Sequence, residues 1–200
     1  MTKIKFCGLK RKEDILYVNK LKPDYVGFVF AKSKRQIDKY QARKLIANLD
    51  ESIKKIGVFL NHKVEEVKEI AKFAKLDILQ FHGDEEPGFC DGFEQTVWKA
   101  FRIKDKNSLK KLDRYMVDGF LLDTYVKDSY GGTGKRFNWD IVSGTNDDRE
   151  VILAGGITCE NIKKAIEEVK PNVIDVSSGI EVDGLKDFEK MKKIIEIVRG

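Results

Sequence analysis

The chain has 200 residues, 42% hydrophobic and 36% charged with only 3 prolines, which excludes a disordered, collagen-like or low-complexity polypeptide. Its 38 basic and 33 acidic side chains leave a net charge of +5 spread along the whole sequence, which suits an anionic small ligand and supplies no basic arm for nucleic acid. Cys7, Cys90 and Cys159 are odd in number and far apart, so neither a disulfide framework nor a zinc site is indicated; a cytoplasmic location fits, with no apolar leader before Asp14 and no run long enough for a membrane.

Short β-branched or aromatic runs alternate with amphipathic helical stretches from end to end. The strands predicted in chain order are residues 3–6, 25–30, 55–60, 78–81, 97–101, 119–122, 151–154 and 173–176. Asp38 followed by Gln41 predicts a capping box opening the second helix, and Asn61 is the expected N-cap of the third, which places His62 in its first turn and on the surface. Val64, Val67, Ile70, Ala71 and Ala74 then form an apolar stripe facing the core; residues 87–93 read as a degenerate fourth helix, and Phe188, Met191, Ile194, Ile195 and Val198 mark the last. Eight units in 200 residues leave about 25 residues apiece, enough for a strand, two loops and a short helix. An α/β fold follows: a single-domain (β/α)8 TIM barrel over residues 1–200, since an eighth strand must pair with something.

In such a barrel the chemistry sits at the C-terminal ends of the strands, and polar residues cluster there. The first strand leads to Cys7-Gly8, the second to Ser33 and Arg35, the fourth to His82-Gly83-Asp84, the fifth to Arg102 and the sixth to Asp123. The seventh leads to Gly155-Gly156 and the eighth to Ser177-Ser178-Gly179. Glycines after two adjacent late strands let backbone N–H groups approach a phosphate unobstructed, so Gly155, Gly156, Ser178 and Gly179 form the expected phosphate site. The loop Gly131-Gly132-Thr133-Gly134-Lys135 fails the Walker A pattern at Ser129 and Arg136 and the dinucleotide pattern at Phe137; it is read as a lid or phosphate-side loop.

Cys7 in isolation reads as a small buried hydrophobe, but at the end of the first strand in a cationic segment it is expected to be partly thiolate and able to act as a base. Asp123 closes the apolar run Phe120-Leu121-Leu122, where a carboxyl must be paired or employed. Period-two alternation puts Lys5 and Asp175 on the inner faces of neighbouring first and eighth strands, so a Lys5–Asp175 pair inside the barrel is expected. Neither His62 nor His82 has ligand spacing for a metal; His82 is expected to line the pocket.

Several of these segments, in order over the whole chain, resemble phosphoribosylanthranilate isomerases. Lys5-Phe6-Cys7-Gly8 is similar to that family's K-I-C-G; Gly27-Phe28-Val29-Phe30 with Ser33 and Arg35 to its G-F-V-F…S-P-R, with Lys34 in place of the usual proline. Gln80-Phe81-His82-Gly83-Asp84-Glu85 is similar to Q-L-H-G-D-E, and Leu121-Leu122-Asp123-Thr124, Gly131-Gly132-Thr133-Gly134, Ala154-Gly155-Gly156-Ile157 and Asp175-Val176-Ser177-Ser178-Gly179-Ile180-Glu181 follow. The resemblance implies an Amadori rearrangement in tryptophan biosynthesis with no cofactor or metal. It also implies that Asp123 is the general acid, Cys7 the general base and Arg35 the contact to the anthranilate carboxylate, with Gly155, Gly156, Ser178 and Gly179 holding the phosphate. The expected partner is a small phosphorylated substrate rather than nucleic acid or membrane, and the expected state a monomer or homodimer. The rival readings are the aldose–ketose isomerase of histidine biosynthesis, whose family carries a carboxylate where Cys7 stands, and a non-catalytic phosphate-ligand-binding barrel, which would need neither acid nor base.

Overall fold

The structure, a computed structural model, describes residues 1–124, 139–142 and 149–200, and every predicted strand forms with its ends displaced by two residues at most. The strands are β1 (Lys3–Cys7), β2 (Tyr25–Val29), β3 (Lys54–Phe59), β4 (Ile78–Phe81), β5 (Thr96–Ile103), β6 (Gly119–Thr124), β7 (Glu150–Leu153) and β8 (Val173–Val176). They are parallel and close into a barrel in sequence order, with β1 paired to β8 in a register that sets Lys5 opposite Asp175. The helices are α1 (Lys12–Leu21), α2 (Lys39–Ile46), α3 (Val64–Ala74), a single turn α4 (Pro87–Cys90), α5 (Ile162–Val169) and α6 (Phe188–Arg199). Between β5 and β6 a 3-10 segment, Lys106–Arg114, replaces a full helix. No helix among the described residues is long and apolar enough to cross a membrane.

Two cores result from strand alternation. Outward-facing residues such as Phe6, Phe28 and Phe120 pack with Val67, Ala165 and Met191 of the helices. Inside the barrel, Tyr25, Ile56, Ile78, Trp98, Leu121, Ile152 and Val173 form an apolar floor. One step further along the strands the interior turns polar: Lys5, Gln80, Asp123 and Asp175 are all buried. The floor thus lifts the first charged layer to the C-terminal mouth. Gly27 is required at this level, since a Cβ there would lie 2.8 Å from the Cys7 sulfur and 3.2 Å from Lys5 Cε.

Three local expectations need correction. Asp38 caps α2 by accepting from the Gln41 backbone N–H at 2.7 Å, but the Gln41 side chain donates to the Lys10 carbonyl rather than closing a reciprocal box. Asn61 is not the cap of α3; Lys63 is, and Asn61 sits in the left-handed region at φ 53°. Its backbone N–H donates to Glu85 and its side-chain oxygen accepts from Asp84 N–H, because the loops after β3 and β4 need each other's polar groups more than the helix needs a cap. His62 consequently precedes α3 and is half-buried on the cavity wall instead of lying in a surface turn.

Candidate active site

A cavity of about 840 Å³ opens at the C-terminal ends of the strands, in the size range of a small-ligand pocket. Cys7, Arg35, His82, Asp123, Gly155, Gly156 and Ser178 lie on its wall. Of the expected site residues, Gly179 does not line it. Its lack of a side chain serves packing, because a Cβ there would fall 1.9 Å from the Ile157 carbonyl oxygen. The loop at residues 131–135 lies outside the described residues.

Cys7 and Asp123 stand on strands separated by β7 and β8, so a thiol and a carboxyl reach the cavity from different directions. The Lys5–Asp175 pair forms as expected, with Nζ to Oδ2 at 2.7 Å in a fully buried setting. Burial alone would lower the Lys5 pKa, but Asp175 and the Cys7 side chain raise it further, so Lys5 remains an ammonium. The expectation of a partly ionised Cys7 is corrected. Burial pushes its thiol above the usual 9.0, and this outweighs the opposing pull of Lys5. Exposure, which decides the sign here, could not be read from a cationic neighbourhood in sequence.

Asp123 Oδ2 lies 3.2 Å from His82 Nε2, and His82 Nδ1 lies 3.0 Å from the Gln80 side-chain nitrogen. Arg35 passes over Gly8, whose φ of +84° and missing Cβ leave room for it. It forms a two-point pair with Glu181, Nε to Oε1 at 2.6 Å and Nη2 to Oε2 at 2.8 Å, and Lys186 Nζ joins the same carboxylate at 2.8 Å. Glu181 therefore takes one edge of the guanidinium fork, and Nη1 is the nitrogen it leaves unengaged. The lysine at position 34 is tied at its carbonyl by Lys10 Nζ at 3.0 Å. Opposite, Gly155 and Gly156 take φ of 87° and 65°, a turn that L side chains resist, and Asn161 holds it by donating to the Gly156 carbonyl at 2.8 Å.

Sequence reasoning singled out neither Gln80 nor Glu181 nor Lys186 for a role. Gln80 had a signal: alternation from Ile78 turns it into the barrel, where a polar side chain must find partners. Glu181 and Lys186 had none, since the meeting of Glu181 with both Arg35 and Lys186 depends on how the segment after β8 folds over the mouth.

Glu181 carries a pH prediction. Burial raises its carboxyl pKa, but the Arg35 hydrogen bonds and Lys186 override this and hold it at about 2. A folded-state pKa below the usual 4.5 gives stability that is complete above that value and is lost as pH falls toward 2. Glu181→Gln is expected to flatten the acid limb of a stability–pH curve measured by urea unfolding; an acid limb of undiminished slope would show that another carboxylate governs it.

The sequence profile of the family described as N-(5'phosphoribosyl)anthranilate (PRA) isomerase matches residues 4–197. A relative from Thermoanaerobacter sp. (strain X514), named N-(5'-phosphoribosyl)anthranilate isomerase, is 56% identical over 201 residues, covering 100% of this chain and 99% of the relative. Among solved structures, phosphoribosyl anthranilate isomerase from Thermotoga maritima superposes with a TM-score of 0.93 at 33% identity, covering 100% of both chains. Another phosphoribosyl anthranilate isomerase, in complex with reduced 1-(o-carboxyphenylamino)-1-deoxyribulose 5-phosphate, has a TM-score of 0.89 at 32% identity over 100% of both chains.

Proposed function

The chain belongs to the N-(5'-phosphoribosyl)anthranilate (PRA) isomerase family, and we propose that it carries out that isomerisation with Asp123 as general acid and Cys7 as general base. Its substrate is N-(5-phosphoribosyl)anthranilate and its product 1-(2-carboxyphenylamino)-1-deoxyribulose 5-phosphate, an aminoaldose turned into an aminoketose. The observation that carries the residue assignment is that Cys7 and Asp123 share one cavity while standing on non-adjacent strands.

Asp123 gives its proton to the ribose ring oxygen as the C1–O bond breaks, and the anilino nitrogen lone pair forms the C1=N bond of a protonated Schiff base. Cys7, as thiolate, takes the C2 proton, and the C2–H electron pair becomes the C1=C2 bond of a neutral enolamine. The enolamine then loses its C2 hydroxyl proton and gains one at C1 to give the ketone; Asp123 is reprotonated and Cys7 deprotonated for the next turnover. Lys5 beside Cys7 stabilises the thiolate, offsetting part of the burial that disfavours it. Because the active base is the minor form of a thiol with a raised pKa, the residual kcat/KM of Asp123→Asn, in which no protonated acid takes part, is expected to rise as pH increases above neutrality.

Arg35 binds the anthranilate carboxylate through the donors that Glu181 leaves, and Gly155, Gly156 and Ser178 bind the phosphate at the opposite wall, with Gly179 maintaining their spacing. Lysine in place of Arg35 keeps the charge and loses the fork, so Arg35→Lys is expected to raise KM by about 10-fold or more with a smaller change in kcat. An unchanged KM would move the carboxylate elsewhere. The function itself is tested by the loss of anthranilate fluorescence when purified protein meets freshly generated substrate; a folded protein without turnover would overturn the reading.

A further inference from the structure

We infer that Gln80 is a positioning residue that fixes the tautomer of His82, and through it the N–H that His82 presents to Asp123. The inference rests on the assignment of Asp123 as the acid, and proceeds from the donor inventory of five buried or half-buried side chains. Lys5 Nζ has only donors, and it lies 2.7 Å from the Gln80 amide at one end and 2.7 Å from Asp175 Oδ2 at the other. The Gln80 amide must therefore turn its oxygen to Lys5. That leaves its NH2 group, again donor only, facing His82 Nδ1 at 3.0 Å. Nδ1 must accept, so the ring proton sits on Nε2 and is donated to Asp123 Oδ2 at 3.2 Å. A charge on β1 thus dictates, through β4, which atom faces the carboxyl on β6.

The consequence is chemical. A carboxyl next to an imidazole ordinarily relaxes to carboxylate and imidazolium, which would strip Asp123 of the proton it has to give. Here a proton on Nδ1 would point at the Gln80 NH2, two donors face to face at 3.0 Å, so this geometry gives no partner to the proton that such a transfer would add. The Nε2–H remains the donor to Oδ2, apart from the proton that Asp123 has to give. When that proton leaves, the Nε2–H bond becomes charge-assisted and stabilises the carboxylate that forms. The charged groups linked to the ring are Asp123 on β6, which it contacts directly, and the Lys5–Asp175 pair of β1 and β8, which reaches it through Gln80.

The test reads the ring directly. With only 2 histidines in the chain, long-range proton–nitrogen spectra of protein carrying labelled histidine resolve His82, with His62→Gln used for assignment. In the wild type, the His82 proton is expected on Nε2. Gln80→Glu keeps the shape and the bond to Lys5 but offers His82 only acceptors. Its ring is expected to be protonated at Nδ1, and kcat to fall by about 10- to 100-fold with KM altered less than about threefold. Gln80→Met, which removes both amide atoms, is expected to populate both tautomers. A wild-type His82 protonated at Nδ1 would overturn the inference even if neither variant folds, as would a Gln80→Glu protein with an unaltered ring, or with an altered ring and intact kcat. Failure of the acid assignment is separable: full activity in Asp123→Asn would remove the acid without touching the tautomer.

Discussion

Cys7→Ser and Asp123→Asn are each expected to lower kcat by about 10²- to 10⁴-fold while leaving KM and the unfolding midpoint close to wild type, because each removes a proton transfer and little else. Serine places an oxygen where the sulfur stood, beside the Lys5 ammonium, so the polar layer keeps its partners. Its alkoxide is out of reach even next to a cation, whereas the thiolate is a minor species whose raised pKa also makes it the stronger base once formed. Asparagine in place of Asp123 still accepts from His82 Nε2 but has no acidic proton for the ring oxygen. The two variants are also distinguishable by pH. Asp123→Asn should show a residual kcat/KM that rises with increasing pH, the limb that belongs to Cys7, and adding Cys7→Ser should abolish that rise. Steady-state fluorescence assays on variants with cooperative thermal unfolding decide the matter. Loss of less than about tenfold in either would remove that residue from proton transfer, since a positioned acid or base contributes more than this.

Strand period and helix stripe are local properties, and that is why residues 78–81 and 173–176 were read to the residue and the barrel could be closed on paper. The Lys5–Asp175 pair was legible for the same reason: alternation and closure order fix which inner positions are neighbours. What failed was contact between loops. Asn61 carries the composition of a cap and spends its polar groups on Asp84 and Glu85, because a loop 24 residues away in sequence competes successfully for them. Arg35 was found as a strand-end cation, but its commitment to Glu181, 146 residues on, was not. The Cys7 thiol reversed its expected direction for a related reason. Neighbouring charges can be counted in a sequence, but the burial that outweighs them is a property of the closed barrel.

Lys5→Met is the substitution expected to cost the most stability, about 3 to 5 kcal/mol by chemical unfolding, a large fraction of the 5 to 15 kcal/mol typical of a domain. Asp175 already has one oxygen, Oδ1, buried without a hydrogen-bond partner among the described residues, and its other oxygen depends on Lys5. Methionine fills the space of the lysine stem but leaves that carboxylate uncompensated, and it also orphans the Gln80 side-chain oxygen. Asp175→Asn should cost less, because Lys5 keeps Gln80 and Cys7 as neighbours. The double variant Lys5→Met with Asp175→Leu should recover more than half of the single-variant loss, since an apolar pair needs no compensation. If Lys5→Met stays within about 1 kcal/mol of wild type, the pair is not carrying the charge balance of the barrel interior. Recovery of stability in the double variant without recovery of activity would separate the two roles of Lys5. An apolar pair can fill the barrel, but it cannot hold a thiolate beside an ammonium or fix the face of the Gln80 amide, and those tasks account for a charge kept where a hydrocarbon would pack as well.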